Sequence, residues 1–185
     1  MTSNTSKNEI ITVSIMVAIA AATRFLPHPP NFTAIGGMAL FGAATLSNKK
    51  LALIVPIMAM LVSDLFIPNG FDLAVYTAFI AIAAMGLLLR NKKGAMPVFV
   101  GSLAASVIFF VISNFGVWAS QAMYTKNAIG LLTCFEAAIP FFPNTLAGDL
   151  FFSSLLFSSY AIIKKTNLGK FKLRYYSIYV NHLFL

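Results

Sequence analysis

The sequence predicts an all-α, polytopic membrane protein of about six transmembrane helices, and three observations carry that expectation. Hydrophobic residues make up 59% of the 185 and charged residues only 10%. Soluble domains average roughly 45–50% apolar and about 25% charged, so no aqueous fold of this length could bury so much apolar surface. The apolar residues form continuous runs without alternation. Continuous runs read as helices, because hydrocarbon forces each segment to satisfy its own backbone hydrogen bonds, whereas a barrel would alternate. Third, the lysines and arginines sit at the ends of those runs, where they report topology.

The first run, 10–26, ends in Pro27-His28-Pro29-Pro30, where a helix loses donors and clashes with proline rings. Lys7 ahead of an apolar core, with small residues at Ala18, Ala20 and Ala22, also fits a cleaved signal peptide. Five further runs make an uncleaved first helix the simpler reading. The second run, 32–46, holds Gly36, Gly37 and Gly42 and is shorter than the roughly 17–25 residues usually needed to cross. The third, 51–67, has Pro56 inside it and Asp64 near its end. The fourth, 73–89, is stopped by Arg90, Lys92 and Lys93.

The fifth run, 98–118, ends in Phe115 and Trp118, rings that suit the headgroup boundary. A long connection, 119–143, contains an apolar stretch at 129–142 broken by Glu136 and Pro140. It is predicted to be an interfacial or re-entrant piece. The sixth run, 144–163, is expected to start at an Asn144-Thr145 cap after Pro143 and to close at Lys164-Lys165. Residues 1–166 then form one transmembrane domain, and 167–185, with Tyr175, Tyr176 and Tyr179, a basic aromatic cytoplasmic tail suited to anionic lipid.

Threading the runs with the N-terminus inside puts Lys7, Lys49, Lys50, Arg90, Lys92, Lys93, Lys164, Lys165, Lys170, Lys172 and Arg174 on the cytoplasmic side. Only Arg24 and Lys126 fall outside. That bias sets both termini in the cytoplasm and supports the span count, since deleting one run would scatter lysines over both sides. The net charge of +8 is therefore a topological signal, not the single basic face that nucleic acid requires, and no nucleic-acid partner is expected. Cys134 is the single cysteine, so no internal disulfide can form and no paired-cysteine or histidine spacing suggests a metal.

Polar variety is concentrated at one end of the bundle. Arg24, Asn31, Asp64, Asn114, Tyr124, Asn144 and Asp149, with the aromatics Phe32, Phe115 and Trp118, all fall at or near outer span ends or in outer loops. An ionisable side chain inside a span costs about 2.5–3.5 kcal/mol and is usually paired or functional. Asp64 and Asp149 therefore either pair with Arg24 or line a polar pocket with Arg24 and Asn114. Phe32, Phe115, Trp118 and Tyr124 are expected to supply apolar walls, and Arg24, Asn31, Asp64, Asn114, Asn144 and Asp149 the orienting contacts. Ser14, Ala18 and Ala22 recur at four-residue spacing, a smooth helix face suited to packing in the bundle or to docking a partner subunit. His28 and Cys134 are each isolated, and a lone cysteine in an apolar stretch is more often a packing residue than a ligand. There is no phosphate loop, serine elbow or histidine pair, so neither catalysis nor a resident cofactor is expected.

Arg24-Phe25-Leu26-Pro27-His28-Pro29-Pro30-Asn31-Phe32-Thr33, the Ser63-Asp64 step, Ser113-Asn114-Phe115-Gly116-Val117-Trp118 and Ile139-Pro140-Phe141-Phe142-Pro143-Asn144-Thr145 resemble an uncharacterised bacterial family of membrane transport proteins. Length, span count, inside termini and the Ala18/Ala22 stripe are also similar to the substrate-binding (S) components of energy-coupling factor vitamin transporters. The resemblance covers residues 10–163; the tail beyond 167 departs from it. It implies a multi-pass protein of the bacterial inner membrane that binds a small molecule, vitamin-like or metal-related, in an outward-facing pocket. It further implies that Ala18 and Ala22 contact a transmembrane coupling subunit with its ATPases. No vitamin-specific motif is evident. The rival expectation is a structural or assembly membrane protein that recruits partners and transports nothing.

Overall fold

The computed structural model describes residues 2–67, 71–92 and 94–183, with side chains from 10 to 165 within those ranges. Lys93 and the side chains of Lys7 and of the 167–185 tail lie outside the described residues. Those residues fold entirely as helices and turns, with no strand among them. In order, the helices are α1 (Thr2–Thr23), α2 (Ile35–Thr45), α3 (Lys49–Asp64), α4 (Leu73–Gly86), α5 (Ala95–Ser120), α6 (Ala128–Ala138) and α7 (Phe142–Leu183). Short 3-10 turns at Leu87–Leu89 and Ile139–Phe141 extend α4 and join α6 to α7.

Local chemistry explains several boundaries. Asn48, Asp72 and Asn127 each cap a following helix, their side chains accepting from the amides of Lys50, Ala74 and Gly130 at 2.8–2.9 Å. Such caps satisfy amides that a helix start otherwise leaves without partners. At the far end of α2, Arg90 donates to the carbonyls of Ala43, at 2.8 Å, and Leu46. A cation there also meets the negative end of the helix dipole.

The short glycine-rich helix α2 is the centre of the bundle. It packs against α3, α4, α5 and α7, and Ile35, Met38, Ala39, Leu40 and Ala43 are all buried in the core. Eleven residues at 1.5 Å each make roughly 16 Å, about half the apolar thickness of a membrane, in line with segment 32–46 being the shortest of the six runs. Its glycines have a packing cause: a Cβ on Gly37 would stand 3.0 Å from Phe152 Cβ and from the Ser153 backbone nitrogen on α7.

One expectation changes. Segment 119–143 contains α6, which runs through the 3-10 turn into α7 without a break. Pro140 and Pro143 lie in the first residues of the 3-10 turn and of α7, where a missing amide costs little. Glu136 is exposed and so does not interrupt the helix. Asn144 and Thr145 consequently sit inside α7, not at its cap.

The bundle exposes many large apolar side chains. Ile11, Ile15, Ile19, Val107, Val111 and Leu155 are all about half exposed. Two stretches, Ala95–Ser120 and Ala128–Lys165, are long and apolar enough to cross a membrane.

Candidate functional site

The polar residues at one end are gathered by the loop that leaves α1. Thr23 ties that loop shut: its hydroxyl donates to the Ala20 carbonyl at 2.7 Å and accepts from the Ala34 amide at 3.2 Å. Between these anchors Asn31 takes a left-handed backbone, φ 65°, which asparagine adopts more readily than most residues. The Phe32 amide then reaches the Pro29 carbonyl and the Thr33 amide the Asn31 carbonyl, both at 3.1 Å.

Arg24 projects from this loop onto the end of α3. Its guanidinium donates to Ser63 Oγ at 2.5 Å and forms an ion pair with Asp64. Asp64 is further satisfied by the Tyr76 hydroxyl of α4, which donates to Oδ2 at 2.7 Å. With the Asp64 side chain only 6% exposed and that of Arg24 16%, the pair locks three elements together.

Asp149 has a different environment. It is 5% exposed, and the Ser106 hydroxyl of α5 donates to its Oδ2 at 2.8 Å. Its Oδ1 lies over Gly36, where a Cβ would come within 2.1 Å. Glycine at position 36 is what leaves room for the carboxylate beside α2. No basic side chain pairs with Asp149 among the described residues.

Arg24 and Asp149 both line a cavity of about 300 Å³. His28, Asn31, Thr33 and Thr145 add polar lining, and Met60, Val75, Phe79, Ile82 and Phe109 form the apolar wall. A smaller cavity of about 220 Å³ shares Asn31, Val75, Phe109 and Thr145 with the first and adds Ser113 and Asn114. The combination of an apolar wall with a few convergent polar groups is the usual constitution of a small-molecule site.

The structure thus brings Arg24, Asn31 and Asp149 to one cavity and Asn114 to its neighbour. Asp64 lines neither and instead holds Arg24 in place. Phe32 packs against Phe151 and Phe152, with ring centroids 6.1 and 5.7 Å away. Phe115 and Trp118 lie against each other at 5.5 Å, and Trp118 Nε1 donates to the Thr125 carbonyl at 2.9 Å, with Lys126 over its ring. They brace the turn between α5 and α6, which also contains the half-buried Tyr124. Asn144 is half-buried on α7 and lines neither cavity. The actual apolar wall, Phe79 and Phe109 above all, was indistinguishable in sequence from other apolar positions. Ser106 had left a trace, since Ser102 and Ser106 share one face of an apolar helix at four-residue spacing. Ser14, Ala18 and Ala22 are all exposed on α1, beside Ile11, Ile15 and Ile19. Among the described residues, no group of three histidine, cysteine or acidic side chains could hold a metal ion.

Fold and cavity together define an all-helical bundle with an apolar exterior and a polar-lined cavity between its helices. The chain belongs to DUF6580, a family of unknown function whose model matches residues 4–171. No curated protein and no solved structure matches it.

Proposed function

We propose that this chain is a multi-pass protein of the bacterial inner membrane, with both termini cytoplasmic, that binds a small molecule in the 300 Å³ cavity for uptake. The observation that carries the reading is the cavity itself: charged and polar side chains from the α1–α2 loop and α7 face an apolar wall from α3, α4 and α5. The half-exposed isoleucines, valines and leucines of α1, α5 and α7 are apolar surface of the kind lipid covers. Arg24, His28 and Asn31 mark the cavity's polar end, and the lysine and arginine bias, with Lys49, Lys50, Arg90 and Lys92 at the opposite end, supports an outward-facing cavity. In this arrangement α2 does not cross alone; the largely exposed loop 24–34 continues from its start at the outer end of the bundle.

Resemblance to S components supplies the working scheme. The exposed Ser14, Ala18 and Ala22 face would dock a transmembrane coupling subunit with its ATPases, and α1 can offer it without disturbing the buried Val13, Met16 and Ala20. Native mass spectrometry of the full chain purified in mild detergent tests the reading. A bound metabolite is expected, and it should be lost on Phe109→Trp, which fills the wall shared by both cavities. Recovery of lipid alone, identical in both proteins, would contradict it.

A further inference from the structure

The cavity's charge balance identifies the chemistry of its occupant, an inference that rests on the cavity being a binding site. Two charged groups and one histidine line it: Arg24, Asp149 and His28. Arg24 arrives already neutralised, because Asp64 pairs with it and Ser63 accepts from it. Asp149 arrives with a single hydroxyl donor on Oδ2, no donor on Oδ1 among the described residues and no cation. A carboxylate at that depth is costly and requires a counter-charge or a proton. We propose that the cavity takes a small organic cation, an ammonium group on a compact apolar body, with Asp149 as its counterion.

The remaining walls suit that occupant. Phe79 and Phe109 both line the cavity, with ring centroids 5.2 Å apart, and aromatic faces attract cations while accommodating apolar stems. Asn31, Thr33 and Thr145 offer carbonyl or hydroxyl oxygens that can accept from the ammonium protons Asp149 leaves free. At about 300 Å³ the cavity is at the lower end of ligand pockets, which limits the body to roughly one ring or a short branched chain. Gly36 completes the arrangement, since any side chain there would displace Oδ1 from its present position.

The test uses the purified full chain in lipid nanodiscs and three probes of matched shape: benzylammonium, benzyl alcohol and benzoate. Calorimetric titration should show benzylammonium binding at least about tenfold more tightly than the other two, as a charge-assisted hydrogen bond to a carboxylate requires. Phe109→Trp should abolish that binding, and Asp149→Asn should remove the preference for the cation. The wild-type comparison stands even if Asp149→Asn does not fold. Equal binding of benzyl alcohol would mean that a proton satisfies Asp149, and tighter binding of benzoate would mean that Arg24 is the recognition pole; either overturns the cation assignment, and loss of that binding in Phe109→Trp would leave the cavity reading standing. Benzylammonium binding unchanged by Phe109→Trp would place it outside the cavity and overturn the assignment. Binding of none of the three, with nothing copurifying, would overturn both.

Discussion

Arg24, Asp64 and Asp149 show how similar residues acquire different work. The sequence left two readings for the carboxylates, pairing with Arg24 or lining a pocket, and the structure divides them: Asp64 takes the pair and Asp149 the cavity. The distinction was illegible in sequence because both residues sit near the ends of apolar runs, and only the fold decides which one the Arg24 side chain can reach. Asp64→Ala leaves a largely buried guanidinium with only Ser63 as its protein partner and should cost about 3–5 kcal/mol. The double substitution Arg24→Met with Asp64→Leu removes both charges and should recover most of that loss. Thermal unfolding of the two variants in the same detergent checks this; a single variant as stable as the wild type would show that the pair contributes nothing.

At the scale of elements, the sequence located α1, α3, α4 and α5 well because each is bounded by charge, proline or a capping side chain. It failed at the start of α7. Glu136 and two prolines look like interruptions when read locally, yet an exposed glutamate and prolines in first turns leave a helix intact. It also understated α2, whose glycines signalled a weak span when their actual role is to let Asp149 and α7 approach a central helix. The end of that helix depends on a residue counted at first only as a topological charge. Arg90→Met removes the donors to the Ala43 and Leu46 carbonyls and should lower stability by about 1–3 kcal/mol. Chemical denaturation should report the loss, while Lys92→Met, two residues on and exposed, should change stability little.

For the molecule as a whole, the pieces assemble in one direction: an apolar exterior, a glycine-softened central helix, and a cavity whose polar lining collects at the end poor in lysine. The composition and the charge bias were readable directly, since both are sums over many residues. The cavity was readable only in its polar half, because Arg24, Asn31, Asn114 and Asp149 stand out against apolar runs while Phe79, Phe109 and Met60 do not. The reading as an uptake protein requires that the cavity's polar end face the exterior. Single cysteines at position 28 and at position 92, in a Cys134→Ser background, can be treated on intact cells with a membrane-impermeant maleimide. Labelling at 28 with none at 92 until the cells are lysed is the expected result; labelling at 92 on intact cells would turn the cavity toward the cytoplasm and contradict uptake through it.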